Sequence, residues 1–188
     1  RTKKQLYRAL KVTPNASQTF SKSCRQYPRE DAPLFASHGD GAYIFDVDGN
    51  RYVDLVGALL PNVLGYNDPD VNWAIRRQLD KGISLSLATE LEAQLAETLC
   101  ELIPCAERVR FGKNGSDATS AAIRLSRAYT GRDFVGIIAG EGYHGWHDWA
   151  VAGTNRDVGV PGLVKSLTHR IPPDIEAVKE HLCRHRYA

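Results

Sequence analysis

The sequence predicts an α/β protein, and three observations carry that prediction. A glycine-rich turn, Gly112-Lys113-Asn114-Gly115-Ser116-Asp117, opens a long amphipathic pattern that runs to Gly131. A short β-compatible run at 108–111 precedes the turn, and the apolar run Phe134-Val135-Gly136-Ile137-Ile138 follows the helix. Strand, helix and strand in that order predict one crossover of a parallel sheet. Upstream, two β-rich runs flank Asp48-Gly49, a strong short-range hairpin signal.

The elements follow in chain order. Residues 1–37 are polar and punctuated by Pro14-Asn15 and Tyr27-Pro28, which predicts an extended arm after one short helix at 3–11. The hairpin occupies 41–55. Its Asp46-x-Asp48-Gly49-Asn50 is not a calcium loop, because the glycine comes too early and the distal glutamate is absent. Asp68-Pro69 starts a helix as N-cap and first residue, with Val71, Ile75 and Leu79 on one face before Gly82 stops it. Thr89-Glu90-Leu91-Glu92 is a capping box, and Leu91, Leu95, Leu99 and Leu102 stripe the helix that follows. From Ser116-Asp117 a helix continues with Ala122, Leu125 and Tyr129 on its apolar side, and 134–138 reads as a buried strand. A short strand at 167–171 and a last helix from Pro173-Asp174, with Ile175, Val178 and Leu182 inward, complete the chain.

Composition narrows the function classes. With 188 residues, 43% hydrophobic and 24% charged, the chain is of an ordinary globular kind with room for a core. Its net charge of +2 is spread over segments of mixed sign, which argues against nucleic acid or an anionic membrane as partner. No apolar run approaches the roughly 20 residues that a bilayer helix needs, and no signal-peptide stretch follows Arg1, so a cytoplasmic protein is expected. The chain contains no methionine, which suggests a lost initiator. The four cysteines have no C-x-x-C spacing and are expected to act as small hydrophobes.

Chemistry concentrates at two places. At the start of the 116–130 helix, Gly115 permits close backbone approach, Ser116 offers a hydroxyl, and the first amides lack intrahelical acceptors, which together suit a phosphate dianion. Taken alone, the turn also fits a plain strand-to-helix connection. It is not a Walker A loop, since no glycine stands four residues before Gly112-Lys113 and no Ser or Thr follows the lysine. The second place is Tyr143-His144-Gly145-Trp146-His147-Asp148, where Tyr143 can stack on a flat heteroaromatic ring. Ligands of parallel crossovers gather at the carboxyl ends of the strands, so both runs are expected to share one pocket. The spacing of His144, His147 and Asp148 matches no standard helical metal motif, and no metal is predicted.

Three stretches together resemble the class III pyridoxal-phosphate aminotransferases, and most of all their glutamate-1-semialdehyde aminomutase-like branch. They are Val109-Arg110-Phe111-Gly112-Lys113-Asn114-Gly115-Ser116-Asp117-Ala118, the helix 121–132, and Tyr143-His144-Gly145. The 41–54 hairpin and Thr89-Glu90-Leu91-Glu92 also resemble that family's pattern. Asn114-Gly115-Ser116-Asp117 stands where the family usually has Ser-Gly-Thr-Glu, which keeps the amides and the hydroxyl.

The resemblance implies fold-type I, present in part. Residues 1–67 would be an arm and β-hairpin of the small domain, and 68–188 the first part of the large pyridoxal-phosphate-binding α/β domain. It implies pyridoxal 5'-phosphate as cofactor, with Gly115 and Ser116 holding the phosphate, Tyr143 stacked on the ring and His144 beside it. It further implies amino-group transfer, by transaminase or aminomutase, between small-molecule donor and acceptor in a homodimer. The Schiff-base lysine of that family belongs to a later half, so no catalytic residue is assigned in this chain, and the chain alone is expected to be inactive. The alternative is a noncatalytic remnant that binds phosphate, the cofactor or a partner.

Overall fold

A computed structural model describes residues 1–28, 32–140 and 144–188. The chain divides into two compact units, Arg1–Ala88 and Thr89–Ala188.

The amino-terminal unit starts with helix α1 (Thr2–Val12) and is built on a three-stranded antiparallel sheet: β1 (Ala36–Asp40), β2 (Tyr43–Asp46) and β3 (Arg51–Val53), in that spatial order. The predicted hairpin is β2–β3, with Tyr43 opposite Val53 and Ile44 opposite Tyr52. Gly49 takes φ +92 in its turn, a conformation that costs an L side chain but not glycine. Strand β1 was not expected, because the polar Ala-Ser-His-Gly-Asp stretch has no alternation of apolar residues. The edge of β2 recruits it, with Gly39 opposite Ile44.

Asp46 ties the hairpin together. Its carboxylate accepts from the amides of Asp48 (2.9 Å) and Asn50 (2.8 Å), from Asn50 Nδ2 (2.9 Å) and from the Tyr52 hydroxyl (3.1 Å). The Asn50 side chain is the leading cause that holds the Asp46 carboxyl below its ordinary value, against the opposing effect of burial. The Tyr66 hydroxyl donates to Asp54, which lowers Asp54 and raises Tyr66. A carboxylate whose folded pKa is depressed stabilises the fold above its unfolded value of about 3.9, and that contribution fades as pH falls through the folded value. The sheet is therefore expected to hold at pH 5 and to loosen below about pH 4, with Asp46→Asn flattening the transition. Far-ultraviolet circular dichroism against pH checks this.

Helix α2 (Pro69–Leu79) begins as predicted, with Asp68 accepting from the amides of Asp70 and Val71. Val71, Ile75 and Leu79 do form one face, but each remains exposed.

In the carboxy-terminal unit, α3 (Glu90–Leu102) carries the predicted capping box: the Thr89 side chain faces the Glu92 amide, and the Glu92 side chain reaches back to accept from the Thr89 amide at 3.3 Å. Helix α4 (Gly115–Thr130) starts after Asn114, whose side chain accepts from the Asp117 amide, and ends at Gly131. No strand forms at 108–111. The crossover instead joins β4 (Val135–Ile138) to β5 (Thr168–Ile171), which pair in parallel with Val135 opposite Thr168. Two short helices, α5 (Asp148–Ala152) and α6 (Gly162–Leu167), make that connection, and α7 (Ile175–Arg184) follows β5.

The core of this unit is small: Val135, Ile137, Ala150, Ala152, Val160 and Ile171. Strand β4 was expected to be covered on both faces. It buries Val135 and Ile137 on one face and leaves Gly136 and Ile138 open on the other. On α7, Ile175 and Leu182 point outward, contrary to the sequence expectation, because the β4–β5 pair is too narrow to cover the whole apolar stripe. Among the four free cysteines only Cys24 is buried, while Cys105 and Cys183 are exposed.

Among the described residues, no helix is long and apolar enough to cross a membrane.

Candidate functional site

The site is built around the first turn of α4. Asn114 caps that turn and consumes the Asp117 amide at 3.0 Å. The Ala118 amide bonds the Asn114 carbonyl at 3.2 Å. Among the described residues, the amides of Gly115 and Ser116 have no backbone acceptor, as the first turn of a helix requires, and they point out of its positive end. Ser116 is buried, and its hydroxyl has no hydrogen-bond partner among the described residues. Gly112 packs tightly behind the turn. A Cβ placed on it would lie 3.1 Å from Asp117 Cβ and 3.3 Å from the Ala118 amide nitrogen.

The 144–148 loop reaches this same turn. Thr119, one turn along α4 from Ser116, carries its hydroxyl 2.9 Å from the His144 carbonyl and 3.2 Å from the Ser116 carbonyl, and donates to one or the other. Gly145 lies directly against the helix: a Cβ built on it would be 3.2 Å from Ser116 Oγ and 3.4 Å from Thr119 Oγ1. Two runs separated by a whole helix in sequence are thereby brought side by side. His144 contributes its backbone to the contact, while its side chain is exposed. Tyr143 lies outside the described residues. Lys113 is exposed and forms no ion pair among the described residues.

Sequence reasoning singled out Gly115, Ser116 and His144 but not Thr119 or Gly145, which join the two runs. The signal was the i, i+3 spacing of two hydroxyl residues, Ser116 and Thr119, on one helical face.

Two concavities lie elsewhere among the described residues. One, of about 630 Å³ in the amino-terminal unit, is walled by Phe35, Ile44, Tyr52, Val56 and Tyr66 and is mainly apolar. It contains none of the predicted site residues. The other, beside Trp146, Trp149 and Arg127, includes His147, whose Nε2 is buried without a partner. Neither offers the set of unpaired amides and hydroxyl found at α4, which is the arrangement suited to an anion.

With this geometry established, comparison with known proteins identifies the class. The description "Aminotransferase class-III" matches residues 26–185. The chain belongs to the class III aminotransferase family. Among solved structures, an omega-transaminase from Sphaerobacter thermophilus aligns at 32% identity and a TM-score of 0.86, covering 98% of this chain and 44% of that one. A transaminase with PLP bound aligns at 30% identity and a TM-score of 0.87, with 98% and 45% covered. A glutamate-1-semialdehyde-aminomutase from Pseudomonas aeruginosa aligns at 25% identity and 0.78, with 98% and 42% covered. The fold is therefore that of fold-type I pyridoxal-phosphate-dependent transferases, and the chain spans less than half the length of these relatives.

Proposed function

We propose that this chain supplies the phosphate-holding part of a pyridoxal 5'-phosphate site in an enzyme of amino-group transfer, transaminase or aminomutase. One observation carries the reading: the free amides of Gly115 and Ser116, the unpartnered Ser116 hydroxyl and the Gly145 loop meet at one helix end. That donor set fits a phosphate without any basic side chain. Gly115 and Ser116 bind and orient the phosphate, and Thr119 fixes the 144–145 backbone so that the pocket keeps its width. Tyr143 covers the ring face and excludes water, with His144 beside it. When bound, the cofactor supplies an electron-withdrawing ring, which is the chemistry that lets an amino group be moved.

The remainder of the reading concerns the longer enzyme. The residues from 1 to 67 belong to its small domain and those from 68 to 188 to its large domain. Donor and acceptor are small molecules, the active form is a cytoplasmic homodimer, and the Schiff-base lysine comes from a later segment, so this chain alone does not turn over. A reading frame that continues past Ala188 into a lysine-bearing half is the expected result, and a stop codon there overturns it. That outcome would favour a noncatalytic, partner-binding role, for which the exposed leucines of α3 (Leu91, Leu95 and Leu102) provide a surface.

The binding claim has its own test. Pyridoxal phosphate is expected to shift the Gly115 and Ser116 amide resonances, and pyridoxal without the phosphate is not. Equal responses to the two compounds would remove the phosphate assignment. Tyr143→Ala is expected to weaken retention by about 0.5–1.5 kcal/mol, the range for an aromatic stacking contact. Equilibrium dialysis reads it, and unchanged retention counts against stacking.

A further inference from the structure

Three of the six histidines meet at the far end of the carboxy-terminal unit's secondary structure, and none of them belongs to the α4 turn. His169 comes from β5. His181 and His185 come from the last turn of α7 and its C-cap, four residues apart and hence on one helical face. One ring nitrogen from each lies within 4.8 Å of the other two. The rings of His169 and His185 are 4.4 Å apart edge to face, and those of His181 and His185 are 5.9 Å apart. All three side chains are half-buried.

The frame around them is made of backbone. The His185 amide bonds the His181 carbonyl at 2.9 Å, and the Ala188 amide bonds the Phe134 carbonyl at 2.9 Å, so the segment after α7 lies along β4. That segment brings the Tyr187 hydroxyl to 2.9 Å from His169 Nδ1 and 3.1 Å from His181 Nδ1. The phenol oxygen can both donate and accept, so it can hold each ring by Nδ1 whichever nitrogen carries the proton. The His185 ring has no hydrogen bond among the described residues. Phe134 closes one side, 4.8 Å from the His169 ring. No carboxylate joins the ring nitrogens within the cluster.

We propose that His169, His181 and His185 form a binding site for one divalent transition-metal ion of the zinc type, with Tyr187 orienting two of the three rings. Imidazole nitrogens are the donors such ions favour. In a tetrahedral zinc site with bonds of 2.0–2.1 Å, neighbouring nitrogens stand about 3.3 Å apart. The observed spread of up to 4.8 Å exceeds that by about 1.5 Å, a difference within reach of side-chain rotation. With His169 and His181 ligating through Nε2, the Tyr187 oxygen would accept from both Nδ1–H groups, the usual support of a metal-bound histidine. Three protein ligands leave the fourth position to water. The sequence expectation of no metal concerned the spacing of His144, His147 and Asp148. These three histidines lie on two separate elements, and it is the fold that joins them. The inference is independent of the cofactor reading.

Cobalt(II) tests it on the unsubstituted chain. Saturation at one equivalent is expected, with visible bands of the intensity of a four-coordinate nitrogen and oxygen site, no thiolate charge-transfer band, and displacement by Zn²⁺. His181→Gln and His185→Gln are each expected to lower Co²⁺ affinity at least tenfold, and His38→Gln to leave it unchanged. Tyr187→Phe, which keeps the ring, is expected to weaken binding by roughly ten- to a hundredfold, as loss of a ligand's supporting partner does. Failure to saturate, a sulfur-to-cobalt band that assigns the ion to Cys183 or another thiol, or affinity in the two glutamine variants equal to that of the unsubstituted chain overturns the proposal. The cobalt spectrum decides the matter even if a variant does not fold.

Discussion

Replacing Gly145 by valine is expected to lower the affinity for pyridoxal phosphate by at least tenfold while leaving α4 intact. Gly145 has φ +137, in the region that L side chains rarely adopt. Space is equally restrictive, because a Cβ at this position would already stand 3.2 Å from Ser116 Oγ, tighter than ordinary contact, and the γ-methyls of valine reach further. The helix cannot yield: its first turn is fixed by Asn114, and Ser116 is buried. The 144–145 loop must therefore move away, breaking the Thr119 hydroxyl contact to the His144 carbonyl and turning Ser116 Oγ aside. A loss of about 1.4 kcal/mol is a factor of ten in affinity, which one charge-assisted hydrogen bond to the phosphate already exceeds. Ser116→Ala should lose part of the same affinity, and Thr119→Val a smaller part, because threonine acts through the loop. Dialysis against pyridoxal phosphate separates the three variants. Valine at 145 binding as glycine does would show that the loop is no part of the site.

The second large effect is on stability. Gly39→Ala is expected to destabilise the amino-terminal unit by about 1–3 kcal/mol, the usual cost of overpacking. The added methyl would lie 2.4 Å from Tyr66 Cγ and 2.8 Å from Tyr66 Cβ, so relief requires the whole side chain to shift. Both sides are held. Gly39 is paired with Ile44 in the β1–β2 ladder. Tyr66 is anchored by its hydroxyl on Asp54 and by a pair of backbone bonds with Gly41, at 2.9 and 2.8 Å. Among the described residues of this unit, Cys24 is the one buried apolar side chain, so little core is available to absorb the strain. A urea titration followed by tyrosine fluorescence measures the loss. The double variant Gly39→Ala/Tyr66→Ala should be less destabilised than the sum of its parts, since removing the ring makes room for the methyl. An unchanged unfolding midpoint for the single variant would refute the clash.

The elements that sequence anticipated are those specified within a few residues. The hairpin rests on Asp48-Gly49 and on Asp46, which collects four donors from the next six residues. The starts of α2 and α4 rest on Asp68 and Asn114, whose side chains cap amides two or three positions on. The Gly115-Ser116 turn was legible for the same reason, since a strand-free glycine turn before an amphipathic run exposes helix-start amides wherever it occurs.

What sequence misjudged was pairing and exposure. The run at 108–111 has β-compatible residues and no ladder partner among the described residues, whereas β1 has a poor β sequence and a partner in β2. Whether an apolar stripe is buried depends on a surface elsewhere in the chain, and that surface is narrow: Leu95 of α3 and Leu125 of α4 remain more than half exposed. The same logic divides the sites. Local residue patterns carried the family resemblance and the helix-start amides of Gly115 and Ser116 on which the proposed phosphate site rests. Folding, which alone sets distances between segments remote in sequence, put Gly145 and Thr119 against Ser116, exchanged the crossover strand for β5, and gathered His169, His181 and His185 around Tyr187.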